Sequence, residues 1–326
     1  MRYLSVCSGI EAATVAWHGM GWKPVAFSEI EKFPSQVLNH HYPDVPNFGD
    51  MTKYKEWHLN ESIDILVGGT PCQSFSLAGL RQGLKDPRGN LMLTYLGILD
   101  QFRPKWCVWE NVPGVLSSNG GRDFGSFLTA LGELRYGFAY RVLDAQNFGV
   151  AQRRRRVFVV GCLGDWRSAA EVLFESESLC RDSTESRSKR EATSREFIPS
   201  IANTIQTTCH DYSRADGFNM ITQTYALQGS MIGRAEKNGP QGDGVNEDIS
   251  FTLNTTDRHA VASKMAVRRL TPTECERLQG FPDGYTDIKL NGKQTPDVGR
   301  YKALGNSMAV PVMAWIGKRI AVREEA

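Results

Sequence analysis

Apolar residues fall in two rhythms along the first half of the chain. Short apolar runs at 3–7, 24–28, 63–67, 105–109, 139–143 and 157–161 have the length of strands. Between them, apolar residues in 11–19, 31–41, 91–102 and 124–134 recur every three or four positions, the spacing of helices that bury one face. Turn residues close the strands: Ser8-Gly9, Glu29, Gly68-Gly69, and the stretch Glu110-Asn111-Val112-Pro113-Gly114. The turn Asn47-Phe48-Gly49-Asp50 closes one more short strand. Strands alternating with helices over short connections predict an α/β fold with a mostly parallel, doubly wound sheet through about residue 163.

The pattern then changes. Residues 175–196 are rich in Glu, Ser, Arg and Thr and read as a linker or exposed loop. From 197 to 262, short β-prone runs lie between glycine and asparagine turns without helical spacing, which predicts a second, smaller β-rich domain. Thr204-Ile205-Gln206-Thr207-Thr208 is weakly echoed by Thr252-Leu253-Asn254-Thr255-Thr256, a short match that carries little weight. Thr271 as cap and Pro272 at the first helical position restart a helix. A Gly305-Asn306 turn is expected to precede a last helix over 307–321. The domains so drawn are 1–163, 164–265 and 266–326.

Composition adds exclusions. The chain of 326 residues is 41% hydrophobic and 23% charged, as ordinary globular proteins are. No apolar run reaches the ~20 residues of a membrane span. The seven cysteines include no C-x-x-C pair, and His18, His40, His41 and His58 lack ligand spacing, so neither a disulfide framework nor a metal site is expected. A reducing cytoplasm and a monomer fit best. Net charge is only +2, yet residues 153–156 are four consecutive arginines, a local stripe that suits a polyanion or a solvated face equally. Acids outnumber bases across 161–262, and the reverse holds from 263 onward.

The chemistry gathers at strand ends. Gly68-Gly69-Thr70-Pro71 turns sharply after the 63–67 strand and leaves Cys72 on a loop at its carboxyl end, where open α/β sheets carry their sites. An isolated cysteine is more often a small buried hydrophobe than a nucleophile. The Cys7-Ser8-Gly9-Ile10-Glu11 turn, though not G-x-G-x-x-G, presents backbone donors to a ligand carboxylate. Glu29 ends the next strand, the place from which an acid binds ribose hydroxyls, and Asp50 ends the third, facing an adenine amino group. Singly each acid is an ordinary cap or surface group; in this order they describe a nucleoside pocket.

Five motifs in order resemble the DNA cytosine-5 methyltransferase family: Pro71-Cys72-Gln73, Glu110-Asn111-Val112, Gln152-x-Arg154-x-Arg156, the stretch from Arg269 to Asp283, and Gly305-Asn306-Ser307. The resemblance covers most of the chain and fades over about 164–262. It implies a Rossmann-like S-adenosylmethionine-dependent sheet, a target-recognition domain, and double-stranded DNA as partner. It makes Cys72, Glu110, Arg154 and Arg156 catalytic. It assigns the cofactor to Cys7, Ser8, Gly9, Ile10, Glu11, Glu29, Ile30, Asp50, Met51, Pro71, Leu91, Asn306 and Met308. Gln73, Ser76, Asn111 and Val112 are expected at the DNA base, with Arg258 as a weaker candidate. Three positions depart from the pattern: Cys7 replaces a Phe that stacks on adenine, Glu11 stands where Gly is common, and Ile30 where some members carry Trp.

The residue types suit the reaction. Carbon 5 of cytosine needs carbanion character before it can take a methyl group, and a thiolate adding at carbon 6 supplies it. Glu110, protonated or sharing a proton, would stabilise charge at ring nitrogen 3, and Arg156 would bind the exocyclic oxygen. The rivals are a tRNA cytosine-5 methyltransferase, a catalytically idle DNA-binding module, and a dehydrogenase, which the missing glycine fingerprint disfavours.

Overall fold

A computed structural model describes residues 1–71, 91–174, 266–290 and 292–325, with the short segments 225–227, 245–247 and 260–263. The first strands are β1 (Arg2–Val6), β2 (Lys23–Ser28), β3 (Ile65–Gly68) and β4 (Trp106–Asn111), and all pair in parallel. β5 (Tyr136–Asp144) and β6 (Arg155–Leu163) follow. The six form one sheet in the order β2-β1-β3-β4-β6-β5, with β6 antiparallel to both neighbours. The mostly parallel sheet is therefore present with one strand reversed. The expected strand before Asp50 is absent: its residues make a lone bridge, Phe27 with Asn47, and Asp50 instead caps a 3-10 helix over Met51–Glu56.

Alternation along β1 shows how the sheet is covered. Leu4 and Val6 face one core with α3 (Leu91–Phe102) and α4 (Arg122–Glu133), which contributes Phe124 and Phe127. Tyr3 and Ser5 point the other way, toward α1 (Ala12–Trp17) and its Thr14 and N-cap Glu11. Trp17 of α1 donates its indole N–H to Met313 O at 2.8 Å, tying α1 to the last helix, Val310–Glu325. The sheet between two helical layers buries apolar runs on both faces, which is why its strands read as continuous apolar runs.

α2 (Lys32–His41) follows β2, and α5 (Trp166–Leu173) follows β6. α5 packs on β5 and β6, and Arg141 of β5 donates to Leu173 O at 2.9 Å, so the sheet's covering extends past residue 163. Residues 1–173 and 224–326 form one compact unit, and 174–223 a second that lies almost wholly outside the described residues. The proposed linker at 175–196 and the echoed 204–208 and 252–256 pieces fall there or in other undescribed stretches.

Four short strands, β7 (Tyr225–Leu227), β8 (Val245–Glu247), β9 (Ala260–Ser263) and β10 (Ala266–Arg269), form an antiparallel sheet in the order β10-β9-β7-β8. α6 (Pro272–Gln279) begins as expected: Thr271 and Glu274 exchange side-chain and backbone hydrogen bonds, a capping box with Pro272 at the first position. The end of the chain differs from expectation. Gly305-Asn306 is not a turn but the last turn of α7 (Asp297–Asn306), and the final helix, α8, is Val310–Glu325. Gly299 of α7 serves packing: a Cβ there would lie 3.3 Å from the Phe33 ring of α2.

Candidate active site

The carboxyl ends of four parallel strands meet in register, Val6 opposite both Ser28 and Gly68, and Gly68 opposite Trp109. The backbone beyond those ends walls a cavity of about 430 Å³. Of the expected cofactor residues, Cys7, Gly9, Glu29, Ile30, Asp50 and Met51 line it, as do Pro71, Leu91 and Asn306. So do Glu110, Asn111, Val112, Arg154 and Arg156. Cys72, Gln73, Ser76 and Arg258 lie outside the described residues; Pro71, one residue before Cys72, reaches the cavity wall.

Glu29 is held ready at the mouth. Its carboxylate accepts the Gly9 amide and the Glu31 amide, each at 2.7 Å, while Asn47 Oδ1 accepts the Glu29 amide. Gly9 is left-handed, with φ +57°, which turns its N–H toward Glu29 at little cost. Ile30 beside it is a large apolar side chain left 73% exposed. Cys7 meets Met51 sulfur to sulfur at 3.4 Å, and burial, with Glu29 adding, pushes its thiol up to about 12. Cys7 is thus a neutral apolar wall.

Four expected contacts are placed differently. Ile10 is wholly buried in an apolar cluster with Phe281 and Leu304. Ser8 stitches β1 to β2, its hydroxyl near Ser5 O and Ser28 O. Glu11 turns away from the large cavity: it caps α1 by accepting from Thr14 N, and both Ser5 and Thr14 hydroxyls bond its carboxyl. Burial raises its pKa, opposed by those donors. With Met308, Ser8 and Glu11 border only a small adjoining chamber of about 40 Å³.

Pairing geometry makes the central ion pair. Glu110 of β4 stands opposite Phe158 of β6, and Arg156 is two residues from Phe158 on the same face. This diagonal lets Arg156 Nε meet Glu110 Oε1 at 3.0 Å. Burial raises the Glu110 pKa, with Arg156 and then Arg154 opposing; burial also lowers Arg156, with Glu110 opposing. Each partner is thus favoured toward its neutral form by burial and toward its charge by the other. Gly69 makes room: a Cβ there would stand 2.8 Å from Glu110 Oε2.

Asn111 and Arg154 are turned to the protein's own backbone. Asn111 donates to Thr70 O at 2.8 Å, and Trp109 Nε1 donates to Thr70 Oγ1 at 3.0 Å, so β4 pins the chain two residues before Cys72. Arg154, 2% exposed, donates to Gly305 O and Ser307 O. Residues given no site role in the sequence also line the cavity, among them Ser28, Gly49, Thr70 and Ala303. Ala303 shares one turn of α7 with Gly305, so recognising that helix would have found it. Among the described residues, no cluster of His, Cys, Asp or Glu is arranged to hold a metal ion, and no helix is long and apolar enough to cross a membrane.

Known proteins resemble the chain over nearly its whole length. A family model described as C-5 cytosine-specific DNA methylase matches residues 1–322. A protein of Escherichia phage P1 named DNA N-6-adenine-methyltransferase is 36% identical in an alignment covering 98% of this chain; the chain spans only 61% of that relative. The type II methyltransferase M.SsoII of Shigella sonnei is 31% identical, with 98% of this chain and 79% of that protein covered. The crystal structure of S. pombe Dnmt2 methyltransferase superposes with a TM-score of 0.63 at 16% identity, covering 100% of both chains, a likeness of fold.

Proposed function

The chain belongs to the family of C-5 cytosine-specific DNA methylases, and on that premise we propose that it methylates carbon 5 of a cytosine flipped out of a specific double-stranded DNA sequence, through a covalent adduct with Cys72. The observation that carries the reading is the Glu110–Arg156 pair at 3.0 Å, opening onto the same cavity as Glu29 and Pro71. A carboxyl and a guanidinium fixed together at adjacent strand ends form a two-pronged site for an amidine-like ring edge. Adenine has an amidine edge too but no exocyclic oxygen for Arg156, so the cytosine reading is preferred to the adenine methyltransferase name of the phage P1 relative.

The residues present fit S-adenosylmethionine. Glu29 suits the ribose hydroxyls, Ile30, Met51 and Leu91 an adenine edge without an aromatic platform, and the Gly9 turn the methionine end. Bound there, the cofactor supplies an electrophilic methyl group on a sulfonium. Cys72 as thiolate adds to carbon 6 of the ring, and Glu110, whose pKa burial raises against the pull of Arg156, shares a proton with ring nitrogen 3 as charge builds there. Arg156 holds both the Glu110 carboxyl and the exocyclic oxygen. After methylation, loss of the carbon-5 proton expels Cys72 and restores the aromatic ring.

Residues 164–265 are assigned the choice of DNA sequence, and the exposed Arg153 and Arg155 contact with phosphate. Such an enzyme works where its DNA is, in the cytoplasm or nucleoid of a bacterial host, as a monomer. Tritiated S-adenosylmethionine incubated with the protein and with duplex DNA or tRNA tests the substrate. Label at carbon 5 of DNA cytosine is expected; label in tRNA alone, or in adenine, overturns the reading.

A further inference from the structure

Arg154 is two residues from Arg156, beside the ion pair, but two of its side-chain hydrogen bonds cross to α7. Its Nη2 donates to Gly305 O at 3.1 Å and to Ser307 O at 2.6 Å, across more than 150 residues of sequence. Those carbonyls belong to the last turn and cap of α7, where a helix leaves its acceptors unpaired and its dipole favours a cation. Gln279 Nε2 secures the next one, Leu304 O, at 2.8 Å. The turn so fastened presents Ala303, Gly305 and Asn306 to the cavity.

The anchorage itself is rigid. Arg154's backbone N–H donates to Asp144 Oδ1 at 2.9 Å, and its carbonyl accepts from Ala145, so the residue is fixed to β5 before its side chain reaches out. At the far end, α7 is held by a buried network: Arg300 bonds Thr286 at 2.9 Å and Glu276 at 3.2 Å, and Glu276 also accepts the Gly284 and Thr286 amides. The helix therefore cannot follow its last turn if Arg154 lets go. Burial, with Arg156 adding and Glu110 opposing, takes the Arg154 pKa down to about 9, which still leaves it charged at neutral pH.

We propose that Arg154 is a positioning residue that latches the end of α7 against the sheet and so shapes the cofactor wall, while Arg156 alone of the two meets the base. This rests on the reading of the cavity as a cofactor and base site. The two arginines should then separate kinetically, although they are nearly adjacent.

The test compares Arg154→Met, Arg154→Lys and Arg156→Lys in the full chain. It measures the dissociation constant for S-adenosylhomocysteine by calorimetry and the single-turnover methylation rate at saturating cofactor. Loss of two charge-assisted hydrogen bonds predicts about a ten- to hundredfold weaker cofactor for Arg154→Met, with the saturated rate within about threefold of wild type. Arg154→Lys, able to keep one carbonyl, should recover about half of the loss on a logarithmic scale. Arg156→Lys should show the opposite split, a slow rate with unchanged cofactor affinity. If Arg154→Met does not fold, Arg154→Lys alone decides by which constant it moves. An Arg154 variant with unchanged affinity and a rate down about a hundredfold would overturn the proposal. Wild-type protein that bound no cofactor would overturn the underlying reading first, and the proposal with it.

Discussion

Glu110 and Arg156 meet at 3.0 Å because the antiparallel pairing of β4 with β6 puts them on one face, two ladder positions apart. The reversal of β6 is therefore part of the site. A parallel strand in its place would change which residues stand diagonal to Glu110.

The first prediction concerns the proton on Glu110. Glu110→Gln should lower the methylation rate by about a hundred- to ten-thousandfold, with cofactor affinity nearly intact. Burial raises the Glu110 pKa, so the protonated form extends to higher pH than for an ordinary carboxyl and is lost as pH rises through the shifted value. Wild-type rates should therefore fall on an alkaline limb that the Gln variant lacks. A variant whose main defect was cofactor binding would refute the role.

Cys72→Ser should abolish methyl transfer and leave DNA binding, because a serine hydroxyl is far less ionised than a thiol. Wild-type protein with cofactor and DNA carrying 5-fluorocytosine should give a covalent adduct stable to denaturing electrophoresis, since fluorine cannot leave as a proton does. The serine variant should give none.

The legibility of these residues differed by type. Glu110 and Arg156 stood out in the sequence because one lies near the end of β4 and the other at the start of β6, each inside a short motif. The helix over Leu91–Phe102 has the bounds its apolar stretch predicts, although Met92 to Leu99 are buried without a break, on every side of the helix. Asp50 was assigned to a strand that does not form, because a two-residue bridge and a strand end have the same turn chemistry. Glu11 pointed to the cofactor on sequence position, whereas its left-handed backbone, φ +64°, turns the carboxyl back to Ser5 and Thr14. Arg154 was indistinguishable from Arg156 in the motif. Only tertiary structure brings Gly305 and Ser307 to it.

The cofactor end should respond to its own substitutions. Glu29→Ala and Asp50→Ala should each raise the cofactor dissociation constant by about tenfold or more while DNA affinity stays within about threefold. Asp50→Ala should also lower thermal stability, because its carboxylate accepts from Thr52 N at 2.9 Å as a helix cap. That cap is worth about 1 kcal/mol. Calorimetry of S-adenosylhomocysteine binding beside thermal denaturation would separate the two effects, and Glu29→Ala should show little of the second.

Glu11 gives a pH-dependent stability difference. Its folded pKa is raised, so its contribution is fully present below the unfolded value and is lost as pH rises through the folded one. Glu11→Gln carries no such loss. Whatever the variant's deficit at pH 5, it should shrink by pH 8 in paired thermal melts. A deficit that grew with pH would mean the carboxylate is favoured in place, against the burial argument.

Gln152 poses the last test. It is fully buried in the Gln152-x-Arg154-x-Arg156 motif, and neither its amide nitrogen nor its amide oxygen finds a partner among the described residues. A buried amide left without hydrogen bonds costs about 1–3 kcal/mol, so natural proteins keep one only where it serves something. Gln152→Met, close in volume and apolar, should therefore raise the free energy of unfolding by about 1 kcal/mol or more, read by urea denaturation. If the amide is reserved for the complex with DNA, the same variant should methylate more slowly while binding cofactor normally. Gain of stability with loss of rate is the signature of a polar group retained for the bound state. A variant less stable than wild type would show that the amide is satisfied in the free protein and that the cost was never carried.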